Sequence, residues 1–168
     1  MTIVIETGAG TLASANSYYS LVSATTYITT IGRSSEWTSF STTTQNAALI
    51  RACYFMETLD WNGTKTSSTN PLEWPRRNVL DRNGYYISAT GIPLHIKWVQ
   101  TELAIRFIND NDPLPDQDTS GNIVRERVDV VEIEYERGGA SQIPSMPYID
   151  VLLKPWIRSK NIVEIVRA

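Results

Sequence analysis

The segment at residues 72–84 constrains the fold more than any other, because it joins a Trp-Pro step to an Asp-Arg-Asn-Gly turn. Pro75 fixes its own φ and restricts Trp74 to an extended conformation, which suits a stiff, exposed loop rather than a core element. The dipeptide Asn83-Gly84 adopts positive φ at low steric cost, so the chain should reverse direction there. An ordered loop with one tryptophan and three arginines is typical of a contact surface rather than of a catalytic site.

Apolar residues with helical spacing precede and follow this loop. Asn16 or Ser17 can cap a first helix. A capping box formed by Thr42 and Gln45 opens a second helix, and Pro93 suits the first position of a third. The predicted helices cover about 16–31, 42–59, 94–109 and 148–157.

Between residues 122 and 136 the pattern changes to the alternation of a half-exposed strand. The extra valine at position 131 shifts the alternating face by one residue, so we expect a bulge or a break into two strands at Val131. This region is therefore our candidate for a β-hairpin. Its acidic residues are Glu126, Asp129, Glu132 and Glu134.

These patterns predict an α+β fold that is mainly α, a small bundle of three to four helices with a β-hairpin near residues 122–136. Residues 162–166 have the pattern of a terminal strand or arm. We therefore expect one helical domain over residues 1–157 and a C-terminal extension over residues 158–168.

Composition argues against several functional classes. The net charge of −3 disfavours a mainly electrostatic nucleic-acid binder. A single cysteine excludes an internal disulfide, and the single histidine, His95, leaves one candidate base for a catalytic triad. Asp116, Asp118 and Ser120 resemble the opening of a calcium loop, but Arg127 stands where the bidentate glutamate belongs. We expect no enzyme activity, no cofactor or metal, no signal peptide and no membrane span, and synthesis in a reducing cytoplasm.

Two regions are candidates for protein contacts. In the 72–84 loop, aromatic and forked cationic side chains suit an interface hot spot, although the tryptophan could equally pack on its own domain while the arginines stay solvated. The C-terminal strand could pair within its own domain, or project and add to the sheet of another chain, which is the alternative we favour. The candidate residues are Trp74, Arg76, Arg77 and Arg82 in the loop, and Ile162, Val163, Ile165 and Val166 in the arm.

Four short motifs, at residues 6–10, 15–18, 72–84 and 92–93, occur together in one order. In these motifs the chain resembles a family of tailed-phage structural proteins, some of which carry the label DnaT-like single-stranded-DNA-binding protein. The resemblance runs from about Ile3 to about Trp156, and the members are similar to the head–tail connector (adaptor) proteins that lie beneath the portal.

The resemblance implies a structural virion protein of the neck that forms a closed ring of about twelve subunits between portal and tail. Its implied partners are further copies of itself, the portal protein and the next neck or tail-completion protein. Genomic DNA would pass through the ring without sequence-specific contact, and an acidic channel would let it slide because no counterions are released.

The other family label implies the alternative function, binding of single-stranded DNA. Bases would then stack on exposed aromatic side chains that lie beside cationic ones. The candidate stacking residues are Trp37, Trp61 and Trp74, and the candidate cations are Arg76, Arg77 and Arg82.

Overall fold

The computed structural model describes residues 2–109 and 146–158 and, between these ranges, the backbone of two strands. Five helices lie in the described ranges: α1 (Leu21–Thr30), α2 (Ser35–Thr38), α3 (Thr42–Met56), α4 (Leu94–Ile108) and α5 (Pro147–Leu153). Strand β1 (Thr64–Lys65) pairs antiparallel with β2 (Arg76–Arg77), and β3 (Arg125–Val128) pairs antiparallel with β4 (Val131–Glu134). The prediction of a mainly helical α+β fold with a hairpin is confirmed.

Helix α4 lies at the centre of the bundle, packed against α1, α3 and α5. Buried side chains occur on all of its faces, which is the property of a core helix rather than of a surface helix. One of them, Gln100, is completely buried and fully used: its Oε1 accepts the Tyr18 N–H at 3.0 Å, and its Nε2 donates to Ser17 Oγ at 2.7 Å and to the Leu49 carbonyl at 2.9 Å. This amide therefore ties the N-terminal segment and α3 to the central helix.

Glu102 is the second buried polar residue of α4 that connects distant parts of the chain. Its Oε2 lies 2.8 Å from the Arg33 guanidinium and 2.9 Å from that of Arg106. The Tyr27 hydroxyl donates to its Oε1 at 3.2 Å. Because two cations and a hydroxyl surround the carboxylate, its burial does not leave an uncompensated charge.

The caps of α1 and α3 differ from those predicted. Ser20, not Asn16 or Ser17, caps α1, with its Oγ accepting the Ser23 N–H at 3.0 Å. The Asn16 side chain instead accepts the Val4 N–H at 2.8 Å, so the 15–18 motif holds the N-terminal segment. Polar residues that can cap a helix can equally bond to a neighbouring backbone, and here the tertiary partner competes successfully.

Helix α3 begins one residue earlier than the capping box would place it. Ser41 is the N-cap, and its Oγ accepts the Thr44 N–H at 3.2 Å. Gln45, which was expected to bond back to the cap, donates to the Trp37 carbonyl at 2.9 Å. This contact holds the short helix α2 against the first turn of α3.

The remaining elements follow the predicted order. Helix α4 begins directly after Pro93, which is its N-cap rather than its first residue. Helix α5 ends two residues before Pro155, as expected for a proline that terminates a helix. The predicted break at Val131 is confirmed, because β3 ends at Val128 and β4 begins at Val131. At the N-terminus, Ile5 makes one parallel bridge to Ser17.

The N-terminal 6–10 motif is explained by one carboxylate. Glu6 is buried, and its Oε1 accepts the N–H groups of Gly8 at 2.8 Å and Gly10 at 3.0 Å. Gly8 has a φ of 108°, and a Cβ there would lie 2.3 Å from the Thr90 carbonyl oxygen. The glycine is therefore required for the turn and for its close approach to the segment before α4.

Among the helices of the described ranges, none has the length and apolar character of a bilayer span.

Candidate interaction surface

Trp74 points into the protein and not towards a partner. Its side chain is 0% exposed and packs edge-to-face on Trp61 and on Trp156, with ring centroids 5.6 Å and 6.0 Å apart. We call the loop at residues 72–84 the Trp-Pro loop. The expectation that this loop is exposed is therefore wrong at Trp74. The indoles from the Trp-Pro loop and from the segment after α5 provide one another with the apolar surroundings that a tryptophan needs for burial.

Arg76 is a structural cation and not an interface residue. It is 6% exposed, and its Nε and Nη2 donate to the carbonyls of Asn62 at 2.8 Å and Gly63 at 3.0 Å, while Nη1 is ion-paired with Glu73. A guanidinium has enough donors to bind several carbonyls of one turn at once. The next residue, Arg77, is exposed, as expected for a candidate contact residue.

A hydrogen-bonded network that we call the Glu57 network joins the end of α3 to the Trp-Pro loop. It consists of Tyr18, Glu57, Glu73 and Trp74. The Tyr18 hydroxyl donates to Glu57 Oε1, and the Glu73 N–H donates to Glu57 Oε2 at 2.6 Å. The Trp74 N–H donates to the Tyr18 hydroxyl oxygen at 3.2 Å.

Burial raises the pKa of the Glu57 carboxyl to about 7, and the neighbouring Glu73 carboxylate acts in the same direction. The hydrogen bonds from Tyr18 and from the Glu73 N–H favour the charged form and lower the pKa, as does the more distant Lys65. Since the net shift is upward, desolvation outweighs these bonds. Burial also raises the pKa of the Tyr18 hydroxyl.

A polar cavity of about 310 Å³ adjoins this network. The carboxylates that line it come from the end of α3 and from the Trp-Pro loop, and its cations come from β2 and from the end of the described chain. The charged residues of the wall are Glu57, Asp60, Glu73, Arg76 and Arg158.

The chain reverses direction in a tight turn at residues 80–86, which we call the tyrosine turn. Asp81 Oδ1 accepts the N–H groups of Asn83 at 2.8 Å and Tyr85 at 2.9 Å, and Gly84 has a φ of 82°. The predicted reversal at Asn83-Gly84 is confirmed. Tyr85 and Tyr86 are 72% and 75% exposed, so this turn presents two adjacent aromatic rings to solvent.

Arg82 fixes the tyrosine turn against α5. Its Nη2 donates to the Val151 carbonyl at 2.7 Å. Val151 also lines a surface groove of about 470 Å³, which we call the α5 groove. The α5 groove has apolar walls at Val151 and Ile157 and charged residues at Asp150, Lys154 and Arg158.

The other candidate residues are distributed as follows. Trp37 and Trp61 are buried, so neither can stack on a base, which corrects the predicted stacking site. Asp129 and the four arm residues Ile162, Val163, Ile165 and Val166 lie outside the described residues, as does the 116–120 segment. Glu126, Glu132 and Glu134 lie on the β3–β4 hairpin, whose register pairs Glu126 with Ile133 and Arg127 with Glu132.

Cys53 and His95, whose side chains could serve in catalysis or metal binding, pack against other parts of the protein. Cys53 is buried in the core, and burial raises the pKa of its thiol, so it is a poor nucleophile. His95 lies against Trp98 and Trp156, with ring centroids 5.1 Å and 6.1 Å away. Within the ranges that the structure describes, no cluster of three His, Cys, Asp or Glu residues is placed to hold a metal ion.

Tyr85 and Tyr86 are the surface residues that sequence reasoning missed. A signal was present, because two aromatic residues follow the Asn-Gly turn directly and only one of two adjacent side chains in an extended segment can face the core. The sequence-based candidates for stacking were tryptophans, although large aromatic residues are buried more often than exposed.

Comparison with known proteins gives one match. A search of curated proteins and a search of solved structures each found no match. A family model with the description "Putative DnaT-like ssDNA binding protein" matches residues 1–168, and this description does not mention a head–tail connector. Since the match covers every residue, the chain belongs to this DnaT-like ssDNA-binding protein family.

Proposed function

We propose that the chain binds single-stranded DNA, with the tyrosine turn as the site where bases stack. The observation that carries the proposal is the exposure of Tyr85 and Tyr86, 72% and 75%, on a turn that has side-chain hydrogen bonds of Asp81 and Arg82. Base–aromatic stacking stabilises single-strand complexes by about 1–3 kcal/mol per base and tolerates any sequence. Membership of a family with this description supports the same function.

The cations beside the turn suit a phosphate backbone. Arg82 lies at the α5 groove through its bond to Val151, and Lys154 and Arg158 line that groove. Phosphates would contact these three side chains while the bases lie on the two tyrosine rings. Duplex DNA keeps its bases paired and stacked, so it cannot use the rings in this way.

Fluorescence anisotropy with a labelled oligothymidine tests this function. Replacement of Tyr85 or Tyr86 by alanine should weaken binding by about 5- to 150-fold, the equivalent of one lost stacking contact. Tyr54→Ala is the matched control, since Tyr54 is 57% exposed on α3 and belongs to neither the turn nor the groove. Equal affinity of all three variants and the wild type would exclude the tyrosine turn as the site.

A second candidate function is the ring-forming connector of the phage neck, and one specific observation favours it. The walls of the α5 groove include the apolar side chains Val151 and Ile157, which suit a protein partner better than a phosphate backbone. The net charge of −3 agrees with this candidate. In it, about twelve copies form a ring in the virion neck.

Besides the α5 groove, the connector would use the acidic hairpin and the C-terminal extension. The acidic hairpin would face the channel or the next neck or tail-completion protein. The extension at residues 158–168 would hold the portal or a neighbouring copy. Light scattering and negative-stain imaging of the protein, alone and mixed with its portal, test this function. A ring in either sample would support the connector, whereas a monomer in both that binds oligonucleotide would support the DNA-binding function alone.

A further inference from the structure

The tyrosine turn is docked on the C-terminal end of helix α5. Residue 155 is a proline and has no N–H, so the Val151 carbonyl lacks the donor that a continuing helix would supply. Arg82 of the tyrosine turn donates to this carbonyl at 2.7 Å in its place. A cation also interacts favourably with the carbonyl groups at the end of a helix. Helix α5 and the tyrosine turn therefore form one continuous surface.

A further aromatic ring, that of Tyr148, is exposed at the other end of α5, in its first turn. Tyr148 and Val151 are three residues apart and therefore neighbours on the helix surface. Their side chains are 50% and 58% exposed. Lys154, three residues further on, is also exposed and lines the α5 groove. An exposed strip of α5 thus leads from an aromatic ring, past an aliphatic side chain, to a cation beside the tyrosine turn.

The Tyr148 ring is supported by the helices behind it. Its hydroxyl interacts with that of Tyr27 on α1. The Tyr27 ring stacks on Trp98 of α4, with centroids 5.8 Å apart and an interplanar angle of 21°, and its hydroxyl donates to the buried Glu102 at 3.2 Å. A side chain that is positioned before a ligand arrives loses little conformational entropy on binding. The exposed part of Tyr148 is therefore a preorganised aromatic surface.

The dimensions of α5 suit a single strand of DNA. At a rise of 1.5 Å per residue, Tyr148 lies about 9 Å along the helix axis from Lys154. This distance corresponds to about three steps between bases stacked 3.4 Å apart. Asp150, the only acidic residue of α5, lies about 200° round the helix from Tyr148 and about 40° from Lys154. Its carboxylate is therefore remote from the aromatic ring and close to the cation, so stacking rather than charge would hold a strand at Tyr148.

We propose that Tyr148 is a third base-stacking residue, and that the substrate is a run of about five or more unpaired nucleotides crossing α5, rather than the few frayed bases of a duplex end. This inference rests on the proposed function, because it extends the binding site from the tyrosine turn to a second aromatic surface. Two bases lie on Tyr85 and Tyr86, the strand passes Arg82 and Val151, and a further base lies on the Tyr148 ring.

Competition between a labelled oligothymidine and unlabelled strands of two lengths, followed by fluorescence anisotropy, tests the inference. The competitors are a trinucleotide, which is too short to reach from the tyrosine turn to Tyr148, and a strand of about twelve nucleotides. Tyr148→Ala should weaken binding of the longer strand by about 5- to 150-fold and leave that of the trinucleotide unchanged. Tyr148→Phe retains the ring and should bind both strands as the wild type does.

Three results would overturn the inference. They are an unchanged affinity of Tyr148→Ala for the longer strand, an equal loss for both lengths, and an equal loss in Tyr148→Phe, which would assign the effect to the hydroxyl. Tyr85→Ala, measured in parallel, separates these results from a failure of the proposed function. If Tyr85→Ala weakens binding of both strands and Tyr148→Ala of neither, only the inference is wrong. If Tyr85→Ala weakens neither, the tyrosine turn is excluded as the site and the inference fails with it.

Discussion

Arg76 and Arg77 are consecutive residues of β2 whose surroundings are opposite. Arg76 is buried among backbone carbonyls and the Glu73 carboxylate, and Arg77 is exposed. A lysine at position 76 would keep the charge but could not reach all of these acceptors, because it lacks the planar fork of donors. Identical substitutions at the two positions therefore separate a structural arginine from a surface one.

We predict that Arg76→Lys lowers the free energy of unfolding by about 2–4 kcal/mol. Arg77→Lys should change it by less than about 0.5 kcal/mol. Urea denaturation followed by circular dichroism measures both values. Equal stabilities of the two variants would show that the contacts of the buried guanidinium contribute nothing.

Glu57 should make the stability of the whole protein depend on pH. Its pKa in the folded protein is raised by burial to about 7 from the ordinary glutamate value of 4.5. Between these pH values the folded state binds the proton more tightly than the unfolded state does. The free energy of unfolding therefore falls as pH rises through this window.

The expected loss is about 2 kcal/mol, less than the full shift implies because Glu57 is only partly buried. The corresponding contribution should be absent in Glu57→Gln, whose free energy of unfolding should change less between pH 4.5 and pH 7. Urea denaturation at a series of pH values measures both profiles. A wild-type stability that rises across this window as much as that of Glu57→Gln would contradict the raised pKa.

At the level of elements, α3 shows that the residue pattern determines where a helix begins, whereas tertiary contacts determine which side chain caps it. The sequence predicts a helix that begins near Thr42 with Gln45 in its first turn, and the helix begins there. Ser41 makes the capping bond, however, while Gln45 binds the Trp37 carbonyl. Helical spacing locates an element to within a residue or two, but the choice among several polar partners depends on segments that lie far away in sequence.

We predict that Ser41→Ala lowers the free energy of unfolding by about 1 kcal/mol, because the Thr44 N–H loses its acceptor. Ser41→Asp should retain the stability, since a carboxylate can accept the same bond and interacts favourably with the N-terminus of the helix. Thermal unfolding of the three proteins under one condition provides the comparison. Similar losses in both variants would mean that the hydroxyl acts through contacts other than the cap.

The burial of Trp74 in the Trp-Pro loop shows why the candidate surface was harder to predict than the fold. Local chemistry correctly gave the stiff step at Pro75 and the reversal at Gly84. The side on which each residue lies depends on packing partners, and Trp74 is buried because Trp61 and Trp156 come together around it. Those partners are separated by almost a hundred residues, so no local pattern contains that information. The exposed tyrosines of the following turn then become the surface residues.

At the scale of the whole molecule, charge limits how strongly a nucleic acid can be held by electrostatics. The chain has 15 Lys and Arg residues against 18 Asp and Glu residues. Several of the cations are already committed to internal carboxylates, among them Arg33, Lys65, Arg76 and Arg106. Three cations, Arg82, Lys154 and Arg158, lie at or on the α5 groove beside the tyrosine turn.

Binding of single-stranded DNA should therefore depend only weakly on salt. For three neutralised phosphates, the logarithm of the association constant should fall with the logarithm of salt concentration with a slope of about −2. Lys154→Gln should make the slope shallower by about 0.7, while Tyr85→Ala should lower affinity at every salt concentration and leave the slope unchanged. Anisotropy titrations of a labelled oligothymidine at four salt concentrations measure both quantities. A slope of about −5 or steeper would require a much larger basic surface than the one beside the tyrosine turn, and would move the binding site elsewhere on the chain.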